Sequence, residues 1–347
     1  MAWQQIHGHD QVIEQFRRAI QRGRLASSFL FVGAEGIGKQ TFAVKLARAL
    51  LCESAAEQDL DPCGQCPSCQ QVAARTHPDL IIVERPSEKN FIPVETFIGD
   101  REHRMREGLC HDIAMKPFCG GRKIAIIDDA DFLNLEGANC LLKTLEEPPP
   151  GSILILVGTS EHKQLPTIRS RCQIVRFHPL SDDALAEVLV NTGITSDRDS
   201  ALTLARLAGG SIKQAVRYAD SELQEVRQRL LSLLATGGTH RSEFVSYLTA
   251  YVDEAGKEAS ARRLRMTQVV DLAVEFYHQL MRFEFADADT QYDEGMKRAL
   301  EIATRQNQVN GEFAADRLIR CLETRQHIAA NANQATLLEC WIDGLCN

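Results

Sequence analysis

No apolar run in the 347-residue chain approaches the length needed to cross a bilayer, which excludes a membrane-spanning helix. The opening segment, MAWQQIHGHDQ, lacks a basic region followed by an apolar core, so no secretory signal is expected. Positive charge is also in deficit. The formal net charge is -8, and a chain of that balance does not hold a polyanion by bulk charge. Contact with nucleic acid would rest on a local basic patch or on partners. Internal repeats and low-complexity linkers are absent. These absences predict a cytosolic protein with no membrane association. What is present is ordinary for a soluble globular protein, with 44% hydrophobic and 25% charged residues. The length predicts two or three domains. Cysteine is the exception to this ordinary composition. There are 11, an odd number that argues against complete disulfide pairing, and clustered thiols in a reducing compartment more often bind metal.

The first half alternates short apolar runs with helical patterns. SFLFVG (28–33), DLIIVE (79–84), KIAIIDD (123–129), SILILVG (152–158) and QIVRF (173–177) are too short for buried helices and rich in Ile, Val, Leu and Phe. That pattern predicts strands of a parallel sheet buried on both faces. Helices are expected over 9–22, 39–51, 94–107 and 132–147, the last stopped by Pro148-Pro149-Pro150. The expected fold of residues 1–178 is α/β, a doubly wound parallel five-stranded sheet. Beyond FHPLS the strands cease. Ser181 is placed to cap a helix over 182–191, another is expected over 198–208, and Ser211 caps a third after Gly209-Gly210. A small helical unit over 179–220 precedes an all-helical region over 221–347, with a loop at 235–240. There Met266, Val269, Val270, Ala273, Phe276, Tyr277 and Leu280 mark an amphipathic helix that serves as core or interface.

FVGAEGIGKQTF (31–42) has the spacing of a phosphate-binding loop, set between a strand and a helix. Gly33, Gly36 and Gly38 let backbone N–H groups turn onto phosphates, the helix adds its positive end, and Lys39 reaches the β- and γ-phosphates. The residue after that lysine is ordinarily Ser or Thr, whose hydroxyl holds Mg2+. Here it is Gln40, a neutral amide on a longer side chain, whereas magnesium requires tight octahedral oxygen geometry. Thr41 lies one helical step on, turned about 100° away. In IAIIDDAD, Asp128 stands where a magnesium-binding aspartate is expected. Asp129 occupies the place of the glutamate that positions attacking water, one methylene short. A helix cap after the strand is the other reading of this acidic pair. Nucleotide binding (ATP, with Mg2+) is thus retained as an expectation, and efficient hydrolysis is not.

Cys52, Cys63, Cys66 and Cys69 are separated by ten, two and two residues, among Pro62, Gly64 and Pro67, which favour turns. Four thiolates so spaced close a tetrahedral shell around Zn2+, a structural site with no open position. The remaining cysteines, at 110, 119, 140, 172, 321, 340 and 346, are expected to be small buried apolar residues.

Together the phosphate loop, the four-cysteine insertion, THPDL (76–80), NCLLKTLEEPP (139–149) and LPTIRSRCQIVRF (165–177) resemble the bacterial clamp-loader branch of the AAA+ ATPases. NANQATLLECWIDGL (331–345) is similar to the last helix of that family's carboxyl-terminal domain, so the resemblance spans nearly the whole chain. It implies an AAA+ domain over 1–178 with a zinc module at 52–69, a helical lid over 179–220 and an oligomerisation collar over 221–347. It also implies that Arg171, in Ser170-Arg171-Cys172, is presented in trans to ATP held by a neighbouring subunit, as an arginine finger. The second sensor position, usually arginine, falls on Lys213, and the first falls near Thr159 and Ser160. Motor members of the family, gamma and tau, carry intact catalytic motifs. Gln40, Asp129 and Lys213 instead point to a non-motor member with weak or absent turnover, a component of a replicative DNA polymerase holoenzyme with no polymerase site of its own. The implied partners are the delta and gamma/tau subunits, the sliding clamp and primer-template DNA. A motor subunit with tolerated substitutions is the alternative, and a zinc-stabilised scaffold unable to bind nucleotide is a third reading.

Overall fold

The five apolar runs pair into one parallel sheet in the computed structural model of the chain. The structure describes all residues except 1, 2, 4, 5, 87, 105, 120, 238–240, 257, 284–291, 306–310, 331 and 347, together with the side chains of 335 and 346. Strands β1 (Ser28–Val32), β2 (Leu80–Val83), β3 (Lys123–Ile127), β4 (Ser152–Gly158) and β5 (Gln173–Arg176) lie in the order β2-β3-β4-β1-β5. Every residue of β1, β3 and β4 is buried, as continuous apolar runs in a covered parallel sheet require. Alternation along the strands divides two layers. Phe29, Phe31, Ile124, Ile126, Ile153 and Ile155 pack with α1 (Asp10–Gln21) and α2 (Lys39–Leu50). Leu30, Val32, Ala125, Ile127, Leu154 and Leu156 pack on the other face with helices that flank β3. Those helices are α4 (Glu95–Ile98), α5 (Leu109–Ala114) and α6 (Leu135–Glu146), whereas α3 (Pro67–Ala73), before β2, buries Val72 in the first layer with α1 and α2. A cluster of Phe16, Phe29, Phe31, Phe42 and Phe177, with ring centroids 5.0 to 6.3 Å apart for the touching pairs, clamps α1 and α2 to β1.

This strand order brings the carboxyl ends of β1, β3 and β4 side by side. The segments that follow them, 33–38, 128–134 and 159–165, therefore converge on one edge of the sheet, where doubly wound folds bind ligands.

One expected helix is not formed. Instead of a continuous helix over 94–107, α4 stops at Ile98 and a loop runs to α5. Gly99 and Gly108 both have positive φ, +78° and +90°, and a Cβ on Gly108 would lie 2.7 Å from the Gly99 nitrogen. Asp100 then accepts from the N–H groups of Glu102 and His103, turning the chain out of helical register. The helix expected over 132–147 starts later, at Leu135, because Asn134 accepts from Gly137 N–H at 2.8 Å and caps it there.

After β5, preceded by the short α7 (Pro166–Arg169), come α8 (Asp182–Asn191), α9 (Arg198–Leu207) and α10 (Ile212–Tyr218). Ser181 caps α8 through Ala184 N–H. By its contacts the chain separates into two compact units, residues 1–216 and 217–347. The second unit holds α11 (Ser221–Ala235), α12 (Arg241–Asp253), α13 (Ala259–Phe283), α14 (Glu294–Arg305), α15 (Gly311–Ala329) and α16 (Gln334–Cys346) around its own core. The expected stripe on α13, Met266 to Leu280, is buried throughout. Part of the loop expected at 235–240 lies outside the described residues. Among the described residues no helix is long and apolar enough to cross a membrane. The scattered cysteines differ from expectation. Cys321 is buried, Cys110, Cys140 and Cys172 are half-buried, and Cys119 and Cys340 are exposed; the side chain of Cys346 lies outside the described residues. Cys119 sits in a connection and Cys340 on the outer side of its helix, positions that a sequence without neighbours does not reveal.

Candidate nucleotide site and metal centre

The loop between β1 and α2 bends at Gly36 (φ +76°) and Gly38 (φ +94°). Glycine is required at Gly36 for a second reason: a Cβ there would stand 2.4 Å from Lys213 Cβ and 2.6 Å from Ser211 Oγ. Each carbonyl from Gly33 to Gly38 accepts a hydrogen bond from the protein itself. Lys39 Nζ donates to Gly33 and Ala34 at 2.7 and 2.5 Å. Ser211 Oγ donates to Glu35, Ile212 N–H to Gly36, His9 Nε2–H to Ile37 and Phe42 N–H to Gly38, all at 2.8 to 2.9 Å. A phosphate-binding loop needs its carbonyls turned away from the ligand, and here the protein engages all six. The engaged carbonyls are compatible with a phosphate-binding loop.

Around it lies a cavity of about 560 Å³. Gly36, Gly38, Lys39, Gln40, Thr41, Asp128, Asp129, Thr159 and Lys213 all line it, so the fold brings together most of the site residues read from the sequence. Gly33 stands at the loop's start and Arg171 is elsewhere. The lining carries three lysines, Lys39, Lys163 and Lys213, against four acids, Glu35, Asp128, Asp129 and Asp131. A polyphosphate would enter a cavity that is already acidic on balance.

The side chains at the catalytic positions are each engaged by a protein partner or by burial. Gln40 Nε2 donates to Glu84 Oε1 at 2.6 Å, and Arg75 approaches the same oxygen at 2.5 Å. Asp129 has a left-handed backbone (φ +53°) and pairs with Arg85 Nε at 3.3 Å, while the Arg85 guanidinium lies over the Phe132 ring. Burial raises the Asp128 carboxyl above its ordinary range and so disfavours the charged form a cation needs. Burial likewise lowers the Lys39 ammonium, with Asp128 and Asp131 acting against it. Thr159 donates both its N–H, at 2.8 Å, and its hydroxyl to Asp131, whose other oxygen accepts from Gln164 at 2.9 Å. Lys213 pairs with Glu35. As a donor set for magnesium these residues fit poorly. Glu35, Glu84, Arg85, Asp131 and Ser211 are not part of the sequence-based site. Glu35, Asp131 and Ser211 lie inside the motifs that define it, and Glu84 and Arg85 meet it through the fold alone.

Arg171 lies beyond α7. Its Nη1 donates to Thr167 O at 2.9 Å and Ser170 Oγ at 3.1 Å, and its Nη2 to Glu146 Oε1 at 2.6 Å. It does not line the chain's own cavity.

The four cysteines meet directly after α2. All four sulfurs lie within 4.8 Å of one another, with Cys52–Cys66 and Cys63–Cys69 each 4.0 Å apart. A zinc ion at about 2.3 Å from each sulfur sets a tetrahedron with edges of roughly 3.8 Å, so the cluster fits the ion with a slight contraction. Backbone N–H groups of Cys63, Cys66 and Cys69 point to Cys52, Cys63 and Cys66 sulfurs at 3.4 Å. N–H groups of Gln65 and Cys66 lower the Cys63 thiol to about 6, favouring the ligating thiolate. The module is braced to the sheet by buried groups of THPDL. Glu53 accepts from Ser68, Ser68 meets His77 Nε2 at 3.0 Å, and His77 Nδ1 accepts from Asp79 N–H. The fully buried Asp79 carboxylate then holds the N–H groups of Phe118 and Cys119 at 2.7 and 2.9 Å.

Residues 8–181 match the family described as DNA polymerase III, delta subunit. The chain is 33% identical to DNA polymerase III subunit delta-prime of Pseudomonas aeruginosa over 60% of its own length and 61% of that relative's. It is 22% identical to subunit delta-prime of Bacillus subtilis over 98% of its length and 97% of the relative's. To subunit tau of Salmonella typhimurium it is 27% identical over 82% of its length, spanning 44% of that longer protein. The chain belongs to the DNA polymerase III delta-prime family of clamp-loader AAA+ proteins.

Proposed function

We propose that the chain is the delta-prime subunit of a cytoplasmic clamp loader, acting with delta and gamma/tau subunits to place the sliding clamp on primer-template DNA. In this reading residues 1–178 form the AAA+ domain, 179–220 its lid and 221–347 the collar that joins the ring. Arg171 is donated in trans to ATP on a neighbouring motor subunit. The chain's own loop retains the capacity to take phosphates but turns over little or no ATP.

One observation carries the reading. Gln40 and Asp129 are tied to Glu84 and Arg85, while Arg171, the fixed cation of the SRC segment, stands clear of the chain's own cavity. An arginine finger at a neighbour's site contributes about 10³ to 10⁵ in turnover. In a loader reconstituted with Arg171→Ala, clamp- and DNA-stimulated ATP turnover should therefore fall by at least tenfold at the one site served. Turnover equal to wild type removes the role in trans.

The engaged loop carbonyls favour a second reading, a motor subunit that tolerates its substitutions. It requires magnesium-dependent turnover by the isolated chain, abolished by Lys39→Ala. Nucleotide binding without turnover excludes it.

A further inference from the structure

We propose that Glu146 is the positioning residue for Arg171. The inference rests on the reading of Arg171 as a group donated to a neighbour's nucleotide. It joins NCLLKTLEEPP and LPTIRSRC, whose functional connection the sequence does not display.

Glu146 is the last residue of α6, because the prolines at 148–150 cannot continue the helix. A carboxylate in a final turn meets the negative end of the helix dipole, an unfavourable placement. Its partner explains the placement: Arg171 Nη2 donates to Glu146 Oε1 at 2.6 Å. Both side chains are substantially exposed, at 50% and 32%, so the pair adds little to folding stability. It acts instead on one rotamer. Glu146, Thr167 O and Ser170 Oγ together engage three of the five guanidinium hydrogens. Nε–H and one hydrogen on Nη2 remain to meet a phosphoryl oxygen. The backbone beneath it is held as well, since Arg171 N–H donates to Ile168 O at 3.0 Å and β5 begins two residues on. A long side chain ordered before it meets its target loses less entropy on engagement. Glu146 touches no reacting atom in this scheme and works only through Arg171.

The test uses the reconstituted loader with Glu146→Ala, Glu146→Gln, Arg171→Ala and the Glu146→Ala/Arg171→Ala double variant. Steady-state turnover and the KM for ATP are measured, with ring assembly followed by sedimentation. Glu146→Ala should lower turnover at the one site served about three- to tenfold with KM and assembly unchanged. Glu146→Gln, which keeps an acceptor oxygen, should recover most of the loss, and the double variant should equal Arg171→Ala. Three results overturn the proposal: wild-type or raised turnover in Glu146→Ala, a change confined to KM or assembly, or a further loss in the double variant. If Arg171→Ala itself has wild-type turnover, the reading beneath the proposal fails, which is a separate outcome.

Discussion

Glu35 lies between Ala34 and Gly36 in the loop, with its carboxylate on Lys213 and its carbonyl held by Ser211. A phosphate arriving at the loop seeks that same lysine, so Glu35 is an internal competitor for it. Its charge also adds to the three aspartates lining the cavity. Removing one partly exposed negative charge near a polyanion is worth about 1 kcal/mol after solvent screening, or roughly fivefold in affinity. Glu35→Gln should therefore raise the affinity of the isolated chain for ATP or ADP by about five- to tenfold in equilibrium dialysis. In a Lys213→Ala background the gain should shrink. Unchanged affinity in Glu35→Gln would show that the pair does not govern access.

Among the helices of the second unit, α11, α13 and α14 share a buried polar group. Arg227 on α11 makes a bidentate pair with Asp293, just before α14, at 2.7 and 3.2 Å. Burial opposes the Asp293 charge, but the hydrogen bonds and charge of Arg227 hold its carboxyl below the ordinary value. Glu275 on α13 accepts from the Tyr218 hydroxyl at 3.4 Å, and burial pushes its carboxyl up to about 7. The folded state thus favours protonated Glu275. Its contribution to stability is complete below an ordinary pKa of 4.5, declines as pH rises to about 7, and is lost above that. The Asp293 contribution has the opposite sign and fades only at more acid pH. Glu275→Gln, which mimics the protonated group, should match wild type near pH 5 in urea unfolding. At pH 8 it should be more stable by about 1–3 kcal/mol. Equal stability at both pH values would place Glu275 in contact with water.

For the whole molecule, the apolar clusters on the two sides of the sheet draw their members from residues 6–177, and the helical cluster draws its own from 223–345. Separate cores predict separate cooperative transitions in calorimetry. The cysteine cluster belongs to the first unit, packed where α2 ends and braced to β2. Stripping zinc with a chelator, or introducing Cys66→Ser, should release one zinc per chain and lower only the first unit's transition. A loss of about 2 kcal/mol corresponds to roughly 4–8 °C. A shift of both transitions, or of neither, contradicts this assignment. The sequence by itself determined the strands, the helices α1, α2, α8 and α9, the glycine loop and the cysteine spacing, because each is a short-range property. Runs of Ile and Phe favour burial, the phosphate-loop turns favour glycine, and two Cys-x-x-Cys steps set three of the four thiols within one or two turns of each other. It misjudged the helix over 94–107, where two glycines meet only once the chain folds. Only the tertiary structure decided which partner each charged group takes. Glu84 holds Gln40, Arg85 holds Asp129, Glu35 holds Lys213, and Glu146 holds Arg171. These pairs, separated by 25 to 178 residues, form through strand order and helix docking, which local periodicity does not encode.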